Sequence, residues 1–145
     1  MNDIEKSYVA CFLDTDGTVT LRKKKSWFDP RIIFVNSEGT VILNILRKMT
    51  GIRGSIGEHC RYKNKGIDKK EYRYEIDCHD SVESLLREIF PFMKLERKRK
   101  IVKLLLEYFD IRHRITKKDK KRPKSKDFTE RMFEIQKEIA RLNKK

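Results

Sequence analysis

A short apolar segment that runs into an acidic pair constrains this chain more than any other feature. Residues 9–20 read VACFLDTDGTVT, with Asp14 and Asp16 separated by one residue and Gly17 directly after them. Apolar residues recur at helical spacing over residues 3–15, and glycine commonly ends a helix. The threonines and valine that follow the glycine favour a strand. The segment therefore predicts a helix that presents two carboxylates at its end and passes directly into a sheet.

The same two periodicities predict the remaining elements, in the order α-β-β-α-β-β-α-α followed by a linker and a last helix. This is an α+β chain of 145 residues. The predicted strands cover residues 17–28, 31–36, 52–62 and 71–79, two helices begin at the caps Ser37 and Asp80, and a longer helix spans about 95–110. We predict a core domain over residues 1–116, a basic linker over 117–126, and a C-terminal helix over 127–145 that packs on the same domain.

Positive charge is concentrated in the second half of the chain. The formal net charge is +14, and residues 94–126 contain fifteen Lys and Arg against four acidic residues, a local balance of +11. Such a block repels itself unless it is solvated or binds a polyanion. Nucleic acid is therefore the favoured partner, with a solvated basic tail as the alternative.

Cysteine usage and hydropathy indicate an intracellular protein. The three cysteines form no CxxC pair, which favours reduced thiols over a disulfide framework or a zinc site. The longest apolar run near the N-terminus, residues 9–13, is too short for a signal peptide or a membrane span. We expect a protein without membrane contact, cytoplasmic in a prokaryote or inside an organelle.

A polar set of side chains shares one face of the predicted strands. If the alternate apolar residues face the helices, the period of two places the polar set on the other side. Its members are Arg22, Lys24, Ser26, Asp29, Arg31, Ser55, His59, Arg61, Arg73, Glu75 and Asp77. A two-stranded ribbon fits the DNA major groove, where Arg and Lys bind guanine and carboxylates accept from cytosine amino groups. The bias toward Arg and Lys favours a nucleic-acid-binding face over an ordinary solvated one.

The acidic pair can first be compared with two known motifs, a calcium-binding loop and a phosphatase motif. A calcium loop fails, because aligning Gly17 with the loop glycine places Phe12 and Lys23 at positions that need oxygen ligands. The DxDGT pattern resembles the first motif of haloacid-dehalogenase phosphatases, in which Asp14 is the nucleophile and Asp16 the general acid. Those enzymes need a parallel sheet of apolar strands, which this sequence does not show. The phosphatase therefore remains the less favoured alternative.

Residues 9–17, VACFLDTDG, also resemble the LAGLIDADG motif of homing endonucleases position for position. The likeness extends further: residues 34–56 resemble the family's strand, cap, helix and next strand. Residues 91–100, PFMKLERKRK, resemble its basic segment, and residues 126–143 are similar to the C-terminal helix of its compact single-motif members. The resemblance implies an α-β-β-α-β-β-α core whose antiparallel sheet forms a saddle over DNA, with extra C-terminal helices.

Small side chains form a stripe along the first predicted helix. Ser7, Cys11 and Thr15 are spaced by four residues, with Ala10 and Asp14 beside them. Such spacing lets two helix backbones approach closely, although the stripe could also pack on the domain's own core. In the family resembled, the corresponding helices of two subunits cross here. The resemblance thus implies a homodimer with this stripe as its interface and Asp14 bonded to the partner helix end.

The resemblance further implies a homing-type endonuclease that cuts double-stranded DNA at a long pseudo-palindromic site. Divalent metal ions can activate water and neutralise the leaving oxygen of a phosphodiester. Mg²⁺ is the implied cofactor, with Mn²⁺ or Ca²⁺ as structural substitutes and no small-molecule cofactor. Asp16 is the implied metal and catalytic residue, the carbonyl of Thr15 a further metal ligand, and Asn36 a residue that orients water.

One position departs from the family pattern. Most members place a lysine where this chain has Glu96. Lys94 and Lys98 flank this position and are candidate substitutes, of which Lys98 is the expected catalytic residue. The glutamate also leaves open a non-cleaving relative, such as an RNA maturase or a DNA-binding module.

The expected DNA contacts follow from the saddle and the basic linker. Base contacts are predicted for Arg22, Lys24, Ser26, Arg31, His59, Arg61, Arg73 and Glu75. Phosphate contacts are predicted for Lys117, Lys118, Lys120, Lys121, Lys124 and Lys126.

Overall fold

Five α-helices and four strands form the part of the chain that the computed structural model describes, residues 1–60, 70–119 and 127–144, without the side chains of residues 60 and 117–119. In chain order they are α1 (Asp3–Asp16), β1 (Gly17–Lys23), β2 (Phe28–Asn36), α2 (Val41–Thr50), β3 (Ser55–Cys60), β4 (Lys70–Ile76), α3 (His79–Ile89), a 3₁₀ turn (Phe90–Phe92), α4 (Glu96–Asp119) and α5 (Glu130–Asn143). The predicted α+β class and order of elements are confirmed.

The strands form one antiparallel sheet in the order β1-β2-β4-β3. Gly17 at the start of β1 pairs with Phe34 near the end of β2, and Ile32 pairs with Ile76 of β4. Alternate strand residues are fully buried against the helices, among them Val19, Ile32, Phe34, Tyr74 and Ile76. The opposite, open face carries polar and charged side chains, as the period of two predicts.

The ends of α1 follow from local capping chemistry. The side chain of Asn2 accepts a hydrogen bond from the backbone N–H of Glu5 at 2.8 Å, and the Glu5 carboxylate accepts one from the N–H of Asn2 at 3.2 Å. This reciprocal capping box fixes the start of the helix. At the other end the chain becomes extended at Gly17, so Asp16 is the last helical residue.

Several predicted boundaries are wrong. Lys24 and Ser26 lie in the β1–β2 turn, because the N–H of Lys24 bonds the carbonyl of Trp27 at 2.8 Å and closes the hairpin there. The helix α4 continues to residue 119 because Ile111 and Ile115 extend its apolar face. The predicted linker over 117–126 therefore begins inside a helix.

Two predicted caps are also wrong. The residue before α2 is Thr40 and not Ser37, and it makes no side-chain capping bond. The helix α3 begins after Cys78, so Asp80 lies inside the first turn and is not the cap. The helix α2 ends at Gly51, which adopts φ 66°, a left-handed conformation that glycine tolerates well.

The last helix, α5, packs against α4 and the edge strand β1. The side-chain amide of Asn143 donates to the carbonyl of Val19 at 2.9 Å, and Arg97 of α4 donates to the carbonyl of Leu142 at 3.0 Å. These bonds occupy backbone acceptors at the sheet edge and the helix end. In the described part of the chain, no helix is long and apolar enough to cross a membrane.

Candidate nucleic-acid interface and acidic centre

The end of α1 and the start of α4 are locked together by Asp14. This carboxyl is 5% exposed, and its Oδ2 accepts hydrogen bonds from the backbone N–H groups of Lys94 at 2.7 Å and Leu95 at 3.4 Å. A carboxylate in this position complements the positive N-terminal end of α4. Its own chain supplies these donors, whereas Oδ1 is buried and has no hydrogen-bond partner among the described residues, so a bond from Asp14 to a partner helix stays a prediction.

Lys98 makes the reciprocal contact. It lies in the first turn of α4, is 7% exposed, and donates its ammonium proton to the carbonyl of Gly17 at the end of α1. The last carbonyl groups of a helix lack intrahelical partners and carry partial negative charge, so a cation there is favourable. Each helix thus contributes a charged side chain that satisfies the backbone end of the other.

Asp16 is the exposed member of the acidic pair. It ends α1 and makes no hydrogen bond or ion pair with the residues that the structure describes. A carboxylate at a helix C-terminus is electrostatically unfavourable, and the last turn of α1 contains no basic residue. The side chain of Thr15 donates to the carbonyl of Cys11 at 3.0 Å. An exposed, unneutralised carboxylate at this position is chemically able to bind a cation.

The described residues do not bring together a complete set of side chains for a metal ion. No group of three or more His, Cys, Asp or Glu side chains converges among the described residues. Asp16 and the backbone carbonyl of Thr15 are oxygen donors of the kind that Mg²⁺ prefers. They fit a divalent ion only as part of a set to which a second chain, water or a phosphate contributes.

Asn36 and Glu96 are the two remaining residues that the family resemblance singles out, and both contact nearby residues of their own segment. The side-chain oxygen of Asn36 accepts a hydrogen bond from the N–H of Glu38 at 2.8 Å, so it stabilises the turn after β2. Because β2 ends next to the start of β1, Asn36 lies at the same end of the sheet as Asp16. Glu96 is exposed and pairs with Lys100 at 3.5 Å.

One face of α1 is uncovered. Ile4 is 81% exposed and Tyr8 37% exposed, and Ser7, Cys11 and Thr15 are exposed on the same helix. The other two members of the predicted stripe, Ala10 and Asp14, are buried within the chain and do not lie on this exposed face. The exposed stripe is therefore shifted toward the larger apolar side chains of the first turns.

The middle of the open face carries a row of alternating charges. Arg31 Nε donates to Asp29 Oδ2 at 2.9 Å and Arg31 Nη1 to Glu75 Oε2 at 3.0 Å. Arg73 bonds Glu71 Oε1 at 2.7–2.8 Å and lies 3.8 Å from Glu75 Oε1. Burial lowers the pKa of Arg31, but its bond to Asp29 and the nearby carboxylates outweigh this effect and raise it. We call these five residues the carboxylate ladder.

The other residues predicted to contact DNA lie in different parts of the chain. Arg22 is exposed at the end of β1, Lys24 and Ser26 lie in the hairpin turn, and His59 is exposed on β3 opposite Glu71. The others lie outside the described residues or side chains: Arg61, Lys117, Lys118, Lys120, Lys121, Lys124 and Lys126.

Two further carboxylates of this face each hold an arginine. The sequence pattern puts Asp29 on the face without a role and does not include Glu71, and their side chains are only 10% and 9% exposed. The period of two was sufficient to find Glu71, since it has the same phase as Arg73 and Glu75. The pairing itself was not visible, because it depends on which strands are neighbours.

The known proteins that resemble this chain are solved structures with the same fold. A scan against protein-family models and a search of curated proteins found no match. Solved structures do match. The homing endonuclease I-CvuI in complex with its target superposes with a TM-score of 0.62 at 19% identity, over 98% of this chain and 83% of that one. The homing endonuclease I-TnaI gives 0.60 at 18% identity, over 95% and 92%.

A third match, I-SmaMI bound to an uncleaved DNA target in the presence of calcium ions, gives a TM-score of 0.65 at 16% identity, over 97% of this chain and 45% of that one. This chain has the LAGLIDADG homing endonuclease fold. The LAGLIDADG resemblance of residues 9–17 is thereby confirmed at the level of the fold. The phosphatase alternative is wrong, because the sheet is antiparallel and Asp14 is a buried residue of a helix. Within this LAGLIDADG fold, α1 carries the motif and the sheet provides the open face.

Proposed function

We propose that this protein is a metal-dependent, site-specific endonuclease that cuts double-stranded DNA as a homodimer. The observation that carries the proposal is the position of Asp16: an exposed, unpaired carboxylate between the uncovered face of α1 and the charged open face of the sheet. The fold likeness to endonucleases solved with DNA supports the same assignment.

Two copies of the chain are needed because each supplies one exposed motif carboxylate. Packing α1 against its twin along Ile4, Tyr8 and Cys11 buries apolar surface and brings two Asp16 side chains toward one axis. A divalent ion held there supplies an activated water and neutralises the leaving oxygen. The chain's own residues hold the site: Asp14 and Lys98 fix the helix end, and the open sheet face binds the DNA.

The direct test is cleavage of a randomised DNA library by the wild-type protein with Mg²⁺, followed by sequencing of the cut ends. A recurring pseudo-palindromic sequence at the cut ends supports the proposal. Binding without any cut supports the second candidate, a non-cleaving nucleic-acid-binding protein. Two observations favour that candidate: Glu96 stands where the family resemblance implies lysine, and the amide oxygen of Asn36 is used by its own turn.

A cysteine cross-link is expected to report the helix pairing. In a variant with Cys60→Ser and Cys78→Ser, mild oxidation should link two chains through Cys11, because the exposed thiol lies on the uncovered face of α1. Covalent dimer on a non-reducing gel measures the effect. The matched control retains Cys78 and replaces Cys11 and Cys60, and it should stay monomeric on the gel. A protein that is monomeric by light scattering and forms no Cys11 link contradicts the homodimer.

Lys98→Met is expected to lower both stability and cleavage. Removing the buried, charge-assisted hydrogen bond from Lys98 to the Gly17 carbonyl should cost about 1–3 kcal/mol of unfolding free energy. We propose that Lys98 positions Asp16 through this carbonyl, so kcat should fall more than KM rises, and Lys98→Arg should recover part of kcat. Lys100→Met is the control, since Lys100 is exposed in the same turn. A normal kcat in folded Lys98→Met contradicts the role.

A further inference from the structure

The carboxylate ladder places more carboxylates than arginines in the middle of the open face. Its three carboxylates, Asp29, Glu71 and Glu75, outnumber its two arginines, so the ladder carries a formal charge of −1 in a chain of +14. The five side chains are 9–26% exposed, which keeps them at the surface but largely shielded from water. Ion pairs shielded in this way are screened little by salt.

Both arginines are committed to these carboxylates. Arg31 uses Nε toward Asp29 and Nη1 toward Glu75, and Arg73 uses Nε and Nη2 toward Glu71. A guanidinium has five N–H donors, and reading guanine requires two of them on one edge. Each arginine keeps three N–H donors after these bonds, so the carboxylates restrict the orientation in which it can meet a base edge.

Non-specific DNA binding depends mainly on free cations that neutralise phosphates. Neutralised arginines contribute little to it, and a net negative centre repels phosphates. A matching sequence is different. Guanine acceptors can replace a carboxylate at an arginine, and a cytosine amino group can donate to the freed carboxylate. The ladder thus penalises DNA whose base edges cannot replace its ion pairs, which is a recognised route to specificity.

We propose that Glu75, supported by Asp29 and Glu71, is a specificity-determining residue that withholds Arg31 and Arg73 from non-specific DNA. This inference rests on the proposed DNA-binding function of the open face. Glu75 is the central member, because its two carboxylate oxygens face the two different arginines.

Glu75→Gln is expected to strengthen binding to a random-sequence duplex and to steepen its salt dependence. Removing one of the three carboxylates leaves Arg31 paired with Asp29 and Arg73 paired with Glu71. The ladder then gains one positive charge, so the magnitude of the slope of log K against log salt should increase by up to about 0.9, the contribution of one phosphate contact. Fluorescence anisotropy over a salt series measures the slope. Selection from a randomised library should return less restricted sequences with Glu75→Gln than with the wild type.

The matched control is Glu58→Gln. Glu58 lies on the neighbouring strand β3, pairs with Lys70 at 3.5 Å and points to the opposite side of the sheet from His59, while the change in net charge is the same. A slope for Glu75→Gln equal to that of Glu58→Gln overturns the inference. Wild-type protein that binds no DNA overturns the proposed function as well, so the two failures are distinguishable.

Arg73→Met tests the same inference with a second substitution, so that the conclusion does not rest on the folding of Glu75→Gln alone. In the wild-type background it should leave the salt slope unchanged, because Arg73 is already neutralised. In a Glu71→Gln/Glu75→Gln background, which removes both carboxylates that Arg73 contacts, it should reduce the magnitude of the slope by about 0.9. A reduction of the same size in the wild-type background shows that Arg73 is free to bind phosphate and contradicts the proposal. Thermal unfolding of each variant verifies that the sheet is intact, and Asp29→Asn should reproduce the effect from the Arg31 side.

Discussion

Asp16→Asn abolishes DNA cleavage while DNA affinity and thermal stability remain close to those of the wild type: this is the expected result with the largest effect on activity. The amide keeps the size of the side chain but loses the negative charge that holds a divalent ion. Loss of several kcal/mol of metal-derived transition-state stabilisation corresponds to a decrease in rate of about 10²–10⁴-fold. Cleavage of a library-selected duplex with Mg²⁺, and binding of the same duplex without cleavage, measure the two quantities separately.

The stability of Asp16→Asn should not fall, and this distinguishes a functional carboxylate from a structural one. The side chain is exposed at the C-terminus of α1, where a negative charge opposes the helix dipole. Neutralising it should stabilise the protein by about 0.3–1 kcal/mol. Asp3→Asn is the matched control at the other end of α1, where the same change should destabilise slightly and leave cleavage intact. Unfolding of Asp16→Asn, or full activity, contradicts the assignment.

Gly17→Ala is expected to have the largest effect on stability relative to the size of the change. A Cβ at this position meets the Cα and carbonyl oxygen of Leu13 at 2.8 and 2.9 Å, so backbone and not only side chain must move. Overpacking of this kind costs about 1–3 kcal/mol. Because the same residue follows Asp16 and accepts the bond from Lys98, the shift should also reduce cleavage.

Gly57→Ala is the control for this substitution. Gly57 lies inside β3, and an added Cβ there meets nothing within 4 Å. Alanine at such a strand position should be neutral or slightly stabilising, by about 0.5–1 kcal/mol. Chemical denaturation of the two variants gives the free energies of unfolding. Equal stabilities would show that the approach of β1 to α1 is not tight.

Features that depend on spacing within one helix or strand could be predicted from the sequence more completely than features that depend on contacts between elements. The helix that ends at Asp16, the strand that follows it and the side chains that share the open face all follow from spacing within one element. Boundaries failed where a turn bond or a continued apolar face decided them, as at Lys24 and Ile111. Of the stripe on α1, Ser7, Cys11 and Thr15 are exposed, whereas Ala10 and Asp14 are buried, a difference that spacing within one helix could not show.

The sequence by itself determined the helix-to-strand junction that carries the acidic pair, and the phase of the strands that puts Arg31, Arg73 and Glu75 on one face. Only the tertiary structure decided what these charges contact. Asp14 and Lys98 reach partners 80 and 81 residues away, and Arg31 reaches a carboxylate 44 residues away. The reason is physical: periodicity fixes the direction in which a side chain points, whereas its ion-pair partner depends on which helix ends and strands pack side by side.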